Sequence, residues 1–131
     1  MLMSKDRKLP APTPGLESQP FFDAAKEGRF LIKKCTACGK AHWYPRAVCP
    51  FCASEETEWV ESLGKGTIYS FSVMRRVPEP FALAYVTLAE GPTVLTNLVD
   101  CDFDELQIGQ PVTFTFKPAD NDTPVLMFKP A

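Results

Sequence analysis

Two Cys-x-x-Cys pairs, Cys35/Cys38 and Cys49/Cys52, stand ten residues apart and constrain this chain more than any other feature. Two cysteines separated by two residues can both turn inward from one tight turn, so each pair supplies half of a tetrahedron. Four thiolates at about 2.3 Å satisfy Zn2+. Gly39 follows the first pair, where a backbone with positive φ is often needed. Pro50 sits inside the second pair and stiffens it. The spacing therefore points to a structural Zn2+ on Cys35, Cys38, Cys49 and Cys52, with iron the alternative that ligand type leaves open. Two disulfides would need an oxidising compartment, and residues 1–19 are polar and Pro-rich, without the apolar core of a secretion signal. A thioredoxin-like redox pair would need one motif only, in a βαβ setting. Four cysteines leave no coordination position open to water or substrate, so the metal reads as a staple and not as a reaction centre.

Charge is divided unevenly around this segment. Residues 1–54 hold nine Lys/Arg against four Asp/Glu, and residues 55–131 hold five against twelve. Lys33, Lys34, Lys40 and Arg46 lie near the cysteines in sequence, where they favour thiolate forms. No apolar run reaches the eighteen or so residues of a membrane span. Free thiols and the polar N-terminus together lead us to expect a cytoplasmic protein.

Three segments follow from the residue pattern. Residues 1–18, with Pro10, Pro12 and Pro14 and no apolar period, read as a tail that is flexible or laid along a partner. Residues 19–62 read as a short helix and a metal ribbon. The helix spans Gln19 to Gly28, with Ser18 as cap, Pro20 in the first turn and Gly28 at the exit. Its Phe21, Phe22 and Ala25 need a surface, in this chain or another. Arg29 to Lys34 is a strand into the first cysteine pair, and His42 to Val48 returns to the second. Trp43, Tyr44 and Pro45 provide apolar cover for the metal site. Glu56 to Ser62 is a linking strand anchored by Trp59.

Residues 63–131 change to a strand pattern after Gly64-Lys65-Gly66. Thr67 to Arg76 places Tyr69, Phe71 and Val73 on one face. Phe81 to Leu88 (FALAYVTL) is nearly continuous and reads as a central strand. Thr93 to Val99 pairs back on it after the turn Glu90-Gly91-Pro92. Asp100 to Leu106 makes one helical turn. Val112 to Lys117 opposes Val112, Phe114 and Phe116 to Thr113 and Thr115, and Val125 to Phe128 closes the set. Five strands with a helical turn between the third and fourth is the count of a five-stranded OB barrel. An SH3-like barrel or an open meander has a similar count. The chain is thus mainly β.

The residues for independent chemistry are sparse. Cys101 sits beside Asp100, Asp102 and Asp104, which oppose a thiolate, so it reads as a structural thiol. His42 is the only histidine. Four cysteines already complete a metal site, so it reads as a surface side chain of the ribbon. There is no G-x-S-x-G and no phosphate-binding Gly loop, and catalysis by the chain alone is not expected.

The order of elements resembles a known family. PFFDAAKEGRFL leads into KCTACGKAHWYPRAVCPFC, then GKGTIYSFSVMRRVPEPFALAYVTLAEGPTVLTNLVD and LQIGQPVTFTF. This is similar to the rubredoxin-like zinc-ribbon plus OB-fold proteins associated with acyl-CoA enzymes, over residues 20–131. The resemblance implies a non-catalytic auxiliary subunit of a thiolase-type complex acting on acyl-CoA thioesters by thiolysis, acyl transfer or condensation. The thiolase-fold partner would carry the catalytic residues, in a hetero-oligomer such as α2β2. The small chain would stabilise it and help shape the acyl channel. All four ribbon cysteines that hold zinc in the family are kept here.

A coenzyme A thioester in such a complex has phosphates to be met. Arg75 and Arg76 at the end of the first barrel strand, and Arg46 beside the ribbon, are the candidates. Phe71, Phe81 and Tyr85 either line a wall for its apolar arm or belong to the barrel core. Two other readings compete. A nucleic-acid-binding ribbon/OB module would use basic grooves and exposed aromatics, and the acidic balance of residues 55–131 counts against it. A free-standing acyl-CoA-binding protein is the other.

Overall fold

The computed structural model describes residues 1–131. Helix α1 (Gln19–Ala25) is too short to persist alone and is held by burial of Phe21, Phe22, Ala24 and Ala25. Pro20 sits in its first turn, where a missing N–H is harmless. Ser18 takes the cap position, but its hydroxyl does not cap the helix. It accepts instead from the Gly15 N–H at 3.0 Å.

The ribbon sheet has the order β2-β1-β3, with β1 at Leu31–Cys35, β2 at Ala41–His42 and β3 at Thr57–Glu61. The expected return strand shrinks to two residues. Pro45, which has no N–H to give to a ladder, follows shortly after, and the chain leaves the sheet to deliver Cys49. On the other edge of β1 lies β3, which is a full partner of β1 and no mere link: Leu31 faces Glu61 and Cys35 faces Thr57.

The second half closes into a five-stranded barrel in the order β4-β5-β6-β8-β7. The strands are β4 (Lys65–Met74), β5 (Phe81–Leu88), β6 (Thr93–Leu98), β7 (Pro111–Pro118) and β8 (Pro124–Pro130). A 3-10 turn, Phe103–Glu105, lies between β6 and β7, and β6 and β8 close the barrel in parallel at Leu98 and Phe128. Closure and this order select the OB barrel over the open meander.

One register detail corrects the expected pattern of β4. The ladder to β5 slips between Ile68 and Ser70. A bulge of this kind puts an extra residue into one strand and re-aims its side chains. Ile68 therefore enters the core, Tyr69 is 67% exposed, and Phe71 and Val73 turn back onto the core. Of the other aromatics in question, Phe81 and Tyr85 alternate with the buried Ala82, Ala84 and Val86 and so face outward.

Ribbon and barrel share one core. Sixteen buried residues form a single cluster that runs from Phe21, Phe22, Phe30 and Ile32 to Ile68, Val86, Leu98, Val112 and Phe128. Trp43, expected over the metal, instead packs on Phe21 at 5.0 Å and Phe30 at 5.7 Å. The two Phe of α1 thus find their surface in this chain. The junction is pinned: Ser62 donates its N–H to the Phe30 carbonyl, and Glu90 accepts from Ser62 Oγ and the Leu63 N–H.

Residues 1–9 of the expected tail lie on the barrel. Leu9 is buried with Ala119 and Met127. Ser4 donates its N–H to the Cys101 carbonyl, Asp120 donates its N–H to the Leu9 carbonyl, and Arg7 rests over the Phe81 ring at 4.3 Å. Two apolar residues in a Pro-rich stretch, Leu2 and Leu9, are enough to hold it down. No helix is long and apolar enough to cross a membrane.

Candidate metal centre

The two cysteine turns are built alike. In the first, the Gly39 N–H donates to the Cys35 carbonyl and the Cys35 N–H to the Lys40 carbonyl, both at 2.9 Å. In the second, Ala53 and Cys49 donate to Cys49 and Ser54 with the same lengths. Each turn needs a left-handed residue after its second cysteine. Gly39 meets this at φ 78°, and Ala53 does so at φ 62° despite its Cβ. Ala53 was not singled out from the sequence. Its alignment with Gly39, one residue past its own cysteine pair, is the signal that finds it.

These turns bring four sulfurs together. All four Sγ atoms lie within 4.8 Å of one another. Cys35 and Cys52 are 3.6 Å apart and Cys38 and Cys49 are 3.8 Å apart. Sulfurs at about 2.3 Å from a common centre stand about 3.8 Å apart in a tetrahedron, so the set fits Zn2+. The separations are far beyond the roughly 2.05 Å of a disulfide, and all five cysteines are free. Backbone N–H groups of Cys38 and Phe51 point at the sulfurs of Cys35 and Cys49 at 3.5 and 3.4 Å.

Proton affinity in the cage is split. Burial opposes ionisation of Cys49, but N–H groups of Phe51 and Cys52 outweigh it and bring the thiol down to about 7. For Cys52 the Ser54 N–H favours the thiolate, yet the crowding Cys35 sulfur and burial push it up to about 12. Zinc binds thiolates, so its entry into the cage releases the protons of its ligands.

His42 is not on the surface as expected. It is 2% exposed, with Nε2 accepting from the Arg46 N–H at 3.4 Å and Nδ1 buried without a partner. Its pairing with Lys33 across β1 and β2 carries it inside. Burial, then the Lys33 and Arg46 charges, lower its proton affinity. It belongs to no metal-ligating group. Cys101 is buried in the shared core, and burial followed by Asp100 and Asp102 pushes its thiol up to about 11.

The three candidate arginines are not brought together into one group by any hydrogen bond or ion pair. Arg46 stands exposed on the ribbon behind His42. Arg75 and Arg76 follow β4 on the barrel, and Arg75 is engaged with Asp104 at 2.7 Å. That bond holds the Asp104 carboxyl below its ordinary range. Arg76 is exposed and carries no ion pair.

Comparison with known proteins agrees with this construction. Residues 22–58 match the rubredoxin-like zinc ribbon domain of ChsH2, and residues 59–117 match the ChsH2 C-terminal OB-fold domain. A probable enoyl-CoA hydratase alpha subunit of Thermomonospora curvata is 35% identical over 93% of this chain. The chain spans only 40% of that relative's length. The benzoylsuccinyl-CoA thiolase subunit BbsA of Geobacter metallireducens is 30% identical, over 73% of this chain and 69% of its own. A solved chain described as Ltp2-ChsH2(DUF35) aldolase superposes with a TM-score of 0.79 at 34% identity, covering 92% of this chain and 98% of that one. The metal cage, the closed barrel and these matches make the chain a member of the DUF35 family of ChsH2-type zinc-ribbon plus OB-fold proteins.

Proposed function

We propose that this chain is a non-catalytic auxiliary subunit of a thiolase-type complex acting on acyl-CoA thioesters, by thiolysis, acyl transfer or condensation. The observation that carries the reading is the match, over nearly the whole of both chains, to the ChsH2(DUF35) chain of an aldolase, supported by the thiolase subunit BbsA. The site chemistry agrees. The four-sulfur cage has no open ligand position, His42 is buried, and the Cys101 thiol is pushed up to about 11 and enclosed. The chain's part is to hold and stabilise a thiolase-fold catalytic subunit, in an assembly such as α2β2, with Zn2+ as its structural metal. A cage of free thiols suits a reducing compartment, the cytoplasm.

Coenzyme A would meet this chain through arginine. Arg46 and Arg76 present free guanidinium groups for phosphate, whereas Arg75 must first leave Asp104. Nucleic acid fits less well. An OB fold binds oligonucleotides on its second and third strands, and here β5 and β6 contain no Lys or Arg.

The test is co-expression with the thiolase-fold proteins of the same organism, followed by size-exclusion chromatography and a thiolysis or condensation assay. Co-elution, with activity that needs both chains, is expected. Separate elution with a fully active enzyme would sink the proposal.

A further inference from the structure

The sequence of β5, FALAYVTL, is apolar at nearly every position, which is the mark of a strand buried on both faces. The barrel covers only one. Past Lys65, the strands β4, β5 and β6 contain no charged residue, in a chain that is 23% charged. Their outward positions carry Tyr69, Met74, Leu83, Tyr85 and Leu95, exposed by 67, 42, 40, 48 and 61%. Five of the chain's thirteen exposed large apolar side chains therefore share one sheet face, which is clustering and not the scatter usual on a surface.

The face is continuous. Tyr85 stands directly opposite Leu95 on β6 and Ser70 on β4, and the bulge places Tyr69 next to Ser70. The turn bearing Ile108, itself 71% exposed, is tied to Ile68 through the Gly109 N–H at 2.8 Å. Small side chains at the centre, Ser70 and Ser72, leave an open depression of about 370 Å3 walled by Leu83, Tyr85 and Leu95.

We infer that the outer face of β4, β5 and β6 is the docking surface for the catalytic subunit, an inference that rests on the function proposed above. Its chemistry fixes the kind of surface it takes. A phosphate or a carboxylate brought to the middle of this face, among Tyr69, Tyr85 and Leu95, would lose water and find no charged residue past Lys65 on the strands to receive it. An uncharged apolar protein surface with one or two protruding side chains loses little and fills the depression. A second copy of this chain is the poorer occupant, because it would bring together two barrels whose residues 55–131 each hold five basic against twelve acidic groups.

Leu95→Glu and Tyr85→Ala test the face, since both side chains are about half or more exposed and the fold does not depend on them. Each variant and the wild type are mixed with the thiolase-fold proteins of the same organism, and affinity is measured by titration calorimetry. Circular dichroism and zinc content confirm the fold. Leu95→Glu should bind about 100-fold more weakly and Tyr85→Ala about 10-fold. If wild type binds and both variants bind within about threefold of it, the docking face is wrong and the subunit reading stands. A wild type that does not bind overturns both. A wild-type homodimer that Leu95→Glu makes monomeric assigns the face to a second copy and overturns the inference.

Discussion

The ring of Phe30 lies 5.6 Å from that of Phe114, and so joins the metal ribbon to the barrel. Phe30 precedes β1, is 1% exposed, and also touches Trp43 of the ribbon and Phe128 of β8. Two sequence modules thereby become one packing unit. Phe30→Ala should cost about 3–5 kcal/mol. In the wild type, zinc release and loss of barrel structure should share one thermal midpoint. Two separate transitions, read by a zinc-sensitive dye and by circular dichroism, would show the modules to be independent.

The cage predicts one tightly held Zn2+ per chain by elemental analysis. Cys49→Ser leaves three sulfurs and should lose the metal, with a stability loss above about 3 kcal/mol. Because the ribbon shares its core with the barrel, binding of the partner should fall with it. A variant that stays folded and bound while turnover alone disappears would give the metal a chemical role.

Gly64 sits at the junction with φ 70°, and a Cβ added there would run into the ring of Phe114. Strain and overlap combine, so Gly64→Ala should destabilise by about 3–5 kcal/mol. Adding Phe114→Leu should recover part of this loss in denaturant titrations, whereas a purely conformational cause would leave it unchanged.

Ala53 holds a left-handed backbone, at φ 62°, that glycine takes without strain. Ala53→Gly should therefore stabilise the metal-loaded chain by about 0.5–1 kcal/mol, the relief of strain exceeding the added entropy of the unfolded chain. A loss of stability on chemical denaturation would contradict this.

His42 is buried neutral, with its proton affinity below the ordinary 6.5. The unfolded chain then binds a proton that the folded chain refuses. Its contribution is present above pH 6.5 and is lost as pH falls below that value. The stability difference between wild type and His42→Gln should shrink as pH drops from 8 toward 5.5, roughly the range over which histidine titrates. A difference that does not vary with pH would mean that His42 stays accessible to protons.

Much of the fold was legible because its signals are local. Cys-x-x-Cys is a turn, Gly39 is a left-handed position, and the alternation of Val112, Phe114 and Phe116 is one face of one strand. The readings that changed depended on a neighbour. His42 was assigned to the surface because only its place on β2 against Lys33 carries it inside. Tyr69 was grouped with Phe71 because alternation does not reveal a bulge set by the ladder to β5. The tail was read as flexible or laid along a partner because Leu9 finds its cover in this chain only where Ala119 and Met127 lie.

The sequence by itself determined the four-sulfur metal set and the β-rich class. Ligand number, strand period and residue type follow from chemistry within a few positions of each residue. Only the tertiary structure decided that ribbon and barrel share one core through Phe30. It also decided that one face of β4, β5 and β6 stays uncovered. Which face of a strand is buried depends on what packs against it, and those partners are brought in from distant parts of the chain.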